Sequence, residues 1–367
     1  MRLASFNVEN LFDRAVAMNQ PTLEAGKAAL EDVAQLDAIF AKTQYTAADK
    51  ANILQRLSSL GLSKSDEGGK FARLRQNHGK LLKRPKTGQP QVVASGRGSW
   101  IGWVELKTDR VDEAATRNAA RVIQEIGADI LGIVEVDNRI ALRRFNDGTL
   151  KTVDSPPYRH VMVIDGNDDR GIDVGLLTNF PIGNMRSHVD DVVGGQLVFS
   201  RDCPEYEIQL PSGKILLLLI NHFKSKGFGG QQESNARRKR QAQRVREIYD
   251  SRRAAGMDFV AVLGDFNDTP DSAPLAPLLQ NASDLRDVSQ SQNFQLDNWQ
   301  GTYGDTQKDK IDYILLSPEL FVRVTKAGVF RKGVWSGKTN NKWQRYDMAG
   351  PEQAASDHAA IWAELNV

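Results

Sequence analysis

"VLGDFNDTP" (residues 262–270) begins with the continuous apolar pattern of a buried strand and ends in polar residues. The strand brings Asp265, Asn267 and Asp268 to one place, and Pro270 cannot donate a hydrogen bond to a sheet. Taken alone, this pattern is typical of a strand followed by a turn, because Asp and Asn side chains hydrogen-bond to nearby backbone in turns. It indicates a functional site only if other strands of the chain end in the same way.

Short apolar runs rich in β-branched residues recur along the chain and predict strands. They cover residues 2–8, 129–136, 158–164, 172–178, 214–221, 259–265, 311–317 and 359–365. Two amphipathic patterns predict helices: residues 112–128, where Gly127 offers a C-terminal cap, and residues 232–253. This mixture predicts an α+β fold, a four-layer α/β/β/α sandwich of two mixed β-sheets flanked by helices.

Residues 14–98 differ in kind from the rest, being polar and rich in Ala, Lys and Gln. Residues 22–43 and 46–60 carry helical patterns, and a Gly- and Lys-rich stretch follows them. We interpret 14–98 as a largely helical insertion within a single domain spanning residues 1–367. We expect the insertion to flank the cleft and to shape substrate access.

Composition limits the class of protein. With 367 residues, 40% of them hydrophobic, the chain can bury a substantial core. Its 48 basic residues nearly balance 46 acidic ones, so attraction to a polyanion must come from local clustering. The single Cys203 excludes an intramolecular disulfide and a cysteine-based zinc site. With no apolar leader and no membrane span, we expect a cytoplasmic monomer as the sequence stands, or a secreted or periplasmic protein if a leader is removed.

Polar groups end strands throughout the chain, as they do in the opening stretch. They are Asn7, Glu9, Glu135, Asn221, His222, Asp312, Ser356, Asp357 and His358. Each of them alone could simply cap a turn. Together they indicate a site, because burying so many polar groups without partners costs about 1–3 kcal/mol or more for each.

An ordered set of motifs resembles the endonuclease/exonuclease/phosphatase superfamily, which has the deoxyribonuclease I-like fold. The motifs are SFNVEN, IVEVDN, RGIDVGLL, INHFKSK, LGDFND, KIDYILLS and SDHAAI. They cover residues 2–12 and about 100–367, leave the insertion without a counterpart, and look most like bacterial nuclease-type members.

Phosphoester hydrolysis needs an activated water and neutralisation of charge on the phosphate oxygens. Asp265 is the candidate general base, with Asn267 orienting water or phosphate. Glu135 is the candidate principal ligand of a hard divalent ion, and Asn7, Glu9 and Asp357 complete its surroundings. Mg²⁺ is the expected ion, Mn²⁺ or Ca²⁺ are substitutes, and zinc is the alternative.

The histidines have separate predicted roles. The resemblance implies that His358 donates to a phosphate oxygen while Asp312 holds its ring and favours its charged form, and that His222 donates from the other side. His160 and His188 lack an acidic partner in any motif, so we interpret them as ordinary strand or loop residues.

Substrate contacts are predicted from basic and aromatic residues. The candidates are Arg170, Asn221, Lys224, Lys226, Trp335 and Trp343. The basic helix 235–253 could be a solvated face or could bring its N-terminus to the cleft. The loop 330–348 interleaves cations with Trp and Tyr, which is typical of nucleic-acid contacts but equally of aromatic rings packed on the sandwich.

We therefore predict a divalent-metal-dependent phosphodiesterase that cleaves nucleic acid, DNA more than RNA. The alternatives are a phosphomonoesterase or sphingomyelinase-like phosphodiesterase acting on a lipid or sugar headgroup, and a catalytically silent nucleic-acid-binding module.

Overall fold

The computed structural model describes residues 1–9, 13–18, 20, 23–110, 113–168, 170–226, 230–280, 283–296, 301–306, 308–338 and 342–367. No helix within these ranges is long and apolar enough to cross a lipid bilayer. The chain divides into two compact units, which we call the sandwich unit (Met1–Phe12 with Val111–Val367) and the inserted unit (Asp13–Arg110).

Strands and helices are numbered in chain order. The strands are β1 (Arg2–Asn7), β2 (Asp13–Ala15), β3 (Ala72–His78), β4 (Leu82–Lys83), β5 (Gln91–Val92), β6 (Ile101–Leu106), β7 (Thr108–Arg110), β8 (Ile130–Val136), β9 (His160–Ile164), β10 (Asp173–Thr178), β11 (Ile182–Arg186), β12 (Val192–Val193), β13 (Gln196–Leu197), β14 (Glu205–Gln209), β15 (Ile215–His222), β16 (Phe259–Asp265), β17 (Arg286–Asp287), β18 (Asp312–Leu316), β19 (Val324–Phe330) and β20 (Ala360–Leu365). The helices are α1 (Leu23–Phe40), α2 (Ala47–Ser59), α3 (Glu113–Ile126), α4 (Arg139–Arg144), α5 (Gln231–Ala254), α6 (Ala276–Leu279) and α7 (Pro318–Phe321).

Two six-stranded mixed sheets form the centre of the sandwich unit. The first has the order β19-β20-β1-β8-β10-β9, and the second has the order β11-β14-β15-β16-β18-β17. Strands β1 and β8 run parallel in the first sheet, as β15 and β16 do in the second. Two parallel pairs, one in each sheet, therefore carry polar residues at their carboxyl ends.

Three apolar layers hold these sheets and helices together. The inner layer lies between the sheets and includes Leu218, Leu263 and Ile361. Residues of α3 such as Ile123 cover the outer face of the first sheet, and residues of α5 such as Val245 cover the outer face of the second. The predicted four-layer α/β/β/α sandwich is confirmed.

Each predicted strand has an observed counterpart, and both long helices lie where the sequence placed them. Gly127 has a φ of 57° directly after α3, which is the left-handed cap expected of it. Strands β11, β14, β17 and β19 were not predicted. Strand β11 is mostly exposed and β17 is only two residues long, so neither produces an apolar run.

The inserted unit contains α1, α2 and short antiparallel strand pairs. Thr46 and Asp49 form a reciprocal capping box that starts α2. Strand β6 pairs with β3, and β7 pairs with β2. This pairing extends the unit to Arg110, beyond the interval 14–98 chosen from composition.

Candidate active site

Strand register brings the carboxyl ends of both sheets into one place. His222 pairs with Asp265 across the parallel strands β15 and β16, and Asp265 lies directly opposite Asp312 on β18. In the other sheet Asn7 ends β1, and Glu135 lies near the end of its parallel neighbour β8. The buried apolar runs of these strands thus place five of the predicted polar groups at a shared rim.

Side-chain distances show that these groups meet. The Asn7 Nδ2 atom lies 3.3 Å from Glu135 Oε1 and 3.2 Å from Asp265 Oδ2. The His222 Nε2 atom lies 3.7 Å and 3.6 Å from the same two oxygens. The His358 Nε2 atom approaches Asp265 Oδ2 from 3.8 Å. Asp265 is therefore the central group of the cluster.

His358 and Asp312 form the predicted pair. The ring Nδ1 lies 2.9 Å from Asp312 Oδ2, and both side chains are buried. The hydroxyl oxygen of Thr302 accepts a hydrogen bond from the Asp312 backbone N–H at 3.0 Å, which holds that end of β18. The ring of Tyr303 packs edge-on against His358, with the ring centres 4.9 Å apart. Thr302 and Tyr303 belong to the site, although no sequence motif pointed to them.

Three site residues have left-handed backbone. Glu9, Glu135 and Asn267 have φ values of 50°, 67° and 53°, and among the described non-glycine residues only Asp154 shares this conformation. Such backbone costs roughly 1–2 kcal/mol per residue. The Asn7 Oδ1 atom accepts from Glu9 N at 3.0 Å, and Asp265 Oδ1 accepts from Asn267 N at 2.8 Å. The site therefore holds backbone strain in place with its own side chains.

Burial and neighbouring charges shift the protonation of the central groups. Burial, together with the Asp312 carboxylate, raises the pKa of Asp265 to about 7, while His358 acts in the opposite direction. Burial would lower the pKa of His358, but Asp312, Asp357 and Asp265 together raise it well above its ordinary value. Burial and the nearby Arg201 and other cations lower the pKa of His222. The surroundings thus favour the charged form of His358 and the neutral form of His222.

The remaining predicted metal-site residues lie at the edge of the cluster. The Glu9 Oε2 atom accepts from Asp357 N at 3.0 Å, which joins the first and last parts of the chain. The Asp357 Oδ1 atom lies 3.7 Å from His358 Nε2, and its side chain is 40% exposed. Asp357 is therefore the most solvent-accessible carboxylate next to His358.

A cation cluster that includes Arg201, a residue that the sequence did not reveal, lies beside these groups. The buried Arg201 places its Nε 3.0 Å from Asp168 Oδ2, and Arg170 makes two hydrogen bonds to the same carboxylate at 2.7 and 2.8 Å. Arg201 acts electrostatically on His222, and Glu135 and Asp265 act on Arg201. No strand-end pattern marked Arg201, because its partner Asp168 comes from a different loop.

The predicted substrate lysines have different surroundings. Burial, with Arg170 and Arg201, lowers the pKa of Lys224 to about 8. Lys226 instead pairs with Asp268 at 2.5 Å. Lys224 therefore lies within the cation cluster, whereas Lys226 stabilises the loop that follows β16.

Three predicted substrate residues are not gathered into the cluster. Alternation along β15 turns Asn221 toward the α5 side, opposite to His222. Trp335 is half-buried against the outer core of the first sheet and stacks on Arg345 at 3.8 Å. Trp343 donates from Nε1 to the Val334 carbonyl at 3.3 Å. For both tryptophans these contacts match the alternative of rings packed on the sandwich.

His188, which has no acidic partner within a sequence motif, has two carboxylate partners in the fold. The buried ring places Nδ1 2.9 Å from Asp191 Oδ2 and Nε2 2.9 Å from Glu205 Oε1. Arg244 and Arg252 of α5 pair with the same two carboxylates. Much of the basic character of α5 is therefore used to attach the helix to the sheet.

The donors present suit a hard divalent ion. The carboxylates of Glu135 and Asp265 both accept from the Asn7 side-chain N–H group, at 3.3 and 3.2 Å, and Glu135 remains 18% exposed. Oxygen donors of this kind are preferred by Mg²⁺ and Mn²⁺. Asp265, Asp312 and His358 also lie within 4.8 Å of one another. The surroundings favour the charged form of the His358 ring, whereas a histidine that binds a metal is neutral.

Comparison with known proteins agrees with this geometry. The sequence profile of the endonuclease/exonuclease/phosphatase family matches residues 107–358. The chain belongs to this family. Members of the family usually hydrolyse phosphoester bonds with the help of a divalent metal. No curated protein matches the chain significantly.

Solved structures share the fold at low sequence identity. A mannosyl-6-phosphatase from Bacteroides thetaiotaomicron is 18% identical, with a TM-score of 0.51 over 69% of this chain and 92% of its own. An endonuclease/exonuclease/phosphatase from Bacteroides vulgatus is 17% identical, with a TM-score of 0.49 over 69% of this chain and 91% of its own. Beta toxin from Staphylococcus aureus is 14% identical, with a TM-score of 0.49 over 70% and 94%. The first of these likenesses, at a TM-score of 0.51, supports the fold alone.

Proposed function

We propose that this protein is a divalent-metal-dependent phosphodiesterase that hydrolyses nucleic acid, DNA in preference to RNA. The observation that carries the proposal is the position of Asp265, whose Oδ2 lies 3.6 Å from His222 Nε2 and 3.8 Å from His358 Nε2. A phosphate between the two rings would place phosphorus near a carboxylate able to take a proton from water.

Each group has a role that follows from its surroundings. Asp265 accepts a proton from the attacking water, since a carboxyl group with a pKa near 7 exchanges protons readily at neutral pH. The charged His358, held by Asp312, donates to a nonbridging phosphate oxygen. His222 donates from the opposite side. The water oxygen bonds to phosphorus, the bond to the departing sugar oxygen breaks, and the proton taken from water is returned to that oxygen.

Glu135, with Asn7 and the outer carboxylates of Glu9 and Asp357, would hold a divalent ion, which would supply positive charge to neutralise the phosphate oxygens. Glu135 and Asp265 share the Asn7 amide, so Asn7 fixes the spacing of the two carboxylates. The left-handed backbone of Glu135 turns its side chain toward this position.

The preference for a polymer over a single headgroup is supported by the extent of the cation cluster. Burial lowers the pKa of Lys224, and the charges of Arg170, Arg201 and Arg237 act in the same direction. Arg237 lies on α5, six residues beyond its start. Cations that continue from the hydrolytic centre onto α5 suit successive phosphates of one strand.

A phosphomonoesterase is the second candidate, and a specific observation favours it. Arg201 and Arg170 meet on one carboxylate beside His222, a concentration of charge that also suits a terminal phosphate dianion. The fold of the mannosyl-6-phosphatase accommodates such a substrate in that protein.

The test incubates the purified protein with labelled single- and double-stranded DNA, RNA and a phosphomonoester, each with Mg²⁺, Mn²⁺ or EDTA. We expect metal-dependent cleavage of DNA, abolished by EDTA and by Asp265→Asn. An exposed matched control, Asp190→Asn, should retain the activity of the parent. Release of phosphate from the monoester without any cleavage of nucleic acid would replace the proposal with the second candidate.

A further inference from the structure

The inserted unit is the basic part of the chain. Residues 13–110 carry 16 Lys and Arg against 10 Asp and Glu, whereas the remaining residues carry 32 against 36. Between Lys70 and Lys107 nine basic residues accompany a single acidic one, Glu105. The near-neutral total of the whole chain therefore conceals a positive inserted unit and a negative sandwich unit, and a polyanion is attracted mainly to the former.

One face of the sheet formed by β3 and β6 is exposed. Its side chains are Arg73, Arg75 and His78 on β3 and Ile101, Trp103 and Glu105 on β6. We call this the β3–β6 face. Trp103 is 48% exposed and Ile101 is 45% exposed, although both are large and apolar. Neighbouring exposed apolar side chains with charged residues around them are a feature of surfaces that contact a partner.

The strand pairing places charge beside the ring. Trp103 lies directly opposite Arg75, and Glu105 lies opposite Arg73. The two guanidinium groups share the Glu105 carboxylate, and Glu67 approaches Arg75 more loosely, at 3.5 Å. The paired carboxylates hold the two guanidinium groups beside the ring. A flat ring next to such cations is the combination that binds an unpaired base together with its phosphate.

The opposite side of the sheet keeps this face rigid. Trp100 is buried and donates from Nε1 to Gln76 Oε1 at 3.2 Å. At Gly102 a Cβ atom would lie 2.2 Å from the Arg75 carbonyl oxygen and 2.4 Å from the Trp100 ring, so only glycine allows the strand to lie this close. Ile101 and Trp103 are thereby presented outward from a fixed backbone, which lowers the entropy cost of binding.

The segment that connects the two strands of the face adds further positive charge. Lys80, Lys83, Lys86 and Arg97 lie on the segment of chain that connects β3 to β6 and are exposed, and within the described ranges none of them forms an ion pair with a carboxylate. Arg84 and Lys107, by contrast, are used internally: Arg84 pairs with Asp66, and Lys107 donates to the Gly69 carbonyl. The four exposed cations are thus available to bind phosphates.

We infer that the β3–β6 face binds single-stranded nucleic acid, with an unpaired base stacked on Trp103 and phosphates neutralised by the surrounding cations. The role of this binding rests on the proposed function, because the bound strand would be the substrate. The binding itself can be measured without catalysis. A duplex offers phosphates but no free base face, so the ring favours single strands.

The test measures fluorescence anisotropy of labelled single-stranded and duplex DNA with the full-length protein in EDTA, which keeps the DNA intact. Trp103→Ala should weaken single-strand binding by roughly 5- to 100-fold and leave duplex binding nearly unchanged. Trp103→Phe, which keeps a flat ring, should restore most of the affinity. Circular dichroism of each variant checks that the unit remains folded.

The lysines give an independent measurement. The triple substitution Lys80→Gln, Lys83→Gln and Lys86→Gln should reduce the slope of log K against log salt by about 0.7 for each phosphate that is no longer neutralised. The matched control, Lys27→Gln on α1 with Lys50→Gln on α2 and Lys151→Gln in the sandwich unit, removes the same charge from residues outside the face and its connecting segment, and should change the slope little.

The outcomes separate this inference from the proposed function. If the parent protein cuts no nucleic acid but Trp103→Ala weakens its binding to single strands, the proposed function fails and the inference stands. If the parent cuts DNA while both sets of variants bind every DNA as the parent does, the inference is overturned. The face would then suit an acidic protein partner instead.

Discussion

Asp265 and Asp312 lie directly opposite each other on β16 and β18, and the His358 ring contacts both carboxylates, with Nδ1 2.9 Å from Asp312 and Nε2 3.8 Å from Asp265. Two buried carboxylates at opposed positions repel each other, so a cation between them stabilises the arrangement. His358 therefore has a structural reason to remain charged as well as a chemical one.

Replacing Asp312 by Asn should lower the pKa of His358, because burial then opposes fewer negative charges. In the parent the pKa of His358 is raised by folding. The charged ring therefore makes its full contribution to the free energy of unfolding below the unfolded-state pKa of about 6.5, and this contribution is lost only as the pH rises through the folded-state pKa. In the variant this stabilising contribution should be lost at a lower pH than in the parent. Titration of the His358 ring by NMR checks the shift, and kcat should fall roughly 10²- to 10⁴-fold. An unchanged titration would contradict the pairing.

Arg201→Met should raise KM and lower kcat/KM by roughly 10²- to 10³-fold, since it removes a buried cation beside His222 from the phosphate site. Arg201→Lys keeps the charge but not the fork that engages Asp168, so it should recover only part of the activity. The matched control is Arg186→Met, on the exposed strand β11. Steady-state kinetics on a short DNA substrate measures all three. Equal activity of Arg201→Met and Arg186→Met would remove Arg201 from the site.

Arg238 is expected to hold together the loop that follows β15 and the loop that follows β16. It is fully buried on α5, with Nε 3.1 Å from Asp268 Oδ2 and Nη1 2.8 Å from the Lys224 carbonyl oxygen. Arg238→Met should reduce the free energy of unfolding by roughly 3–5 kcal/mol, because it leaves a buried carboxylate short of its partner. Arg246→Met breaks a surface pair with Asp250 and should cost less than about 1 kcal/mol. Urea denaturation compares them, and decreases of equal size would refute the assignment.

Glu205 should make stability depend on pH in the acid range. Burial would raise its pKa, but hydrogen bonds from His188 and Arg252 outweigh burial and lower the pKa from 4.5 to about 2. Because the folded-state pKa is depressed, the contribution is complete above pH 4.5 and diminishes as pH falls toward 2. The ionised Glu205 therefore contributes at most about 3 kcal/mol to the free energy of unfolding.

The substitution Glu205→Gln tests this pH dependence. The variant should be less stable than the parent at pH 7, and the difference should shrink as the pH approaches 3. Glu207→Gln, on the same strand and bonded to Asn184, should show no such convergence. Urea midpoints at several pH values measure both variants, and a constant difference for Glu205→Gln would count against the explanation.

Sequence alone determined the buried strands and the residue types at their ends. Strands covered on both faces appear as continuous apolar runs, so β15 and β16 were readable without coordinates. The motif SDHAAI placed His358, and LGDFND placed Asp265, through resemblance to a family with a known order of motifs. Edge strands such as β11 left no such signal because they are largely exposed.

Tertiary structure decided which polar groups meet. Arg201 lies at the site because its partner Asp168 comes from a different loop. Asn221 lies outside it because strand alternation turns its side chain toward α5. His188 acquires two carboxylate partners from separate parts of the chain. Periodicity reports which residues are buried, but a buried charge depends on partners far away in sequence, so the contacts of these groups required the folded chain.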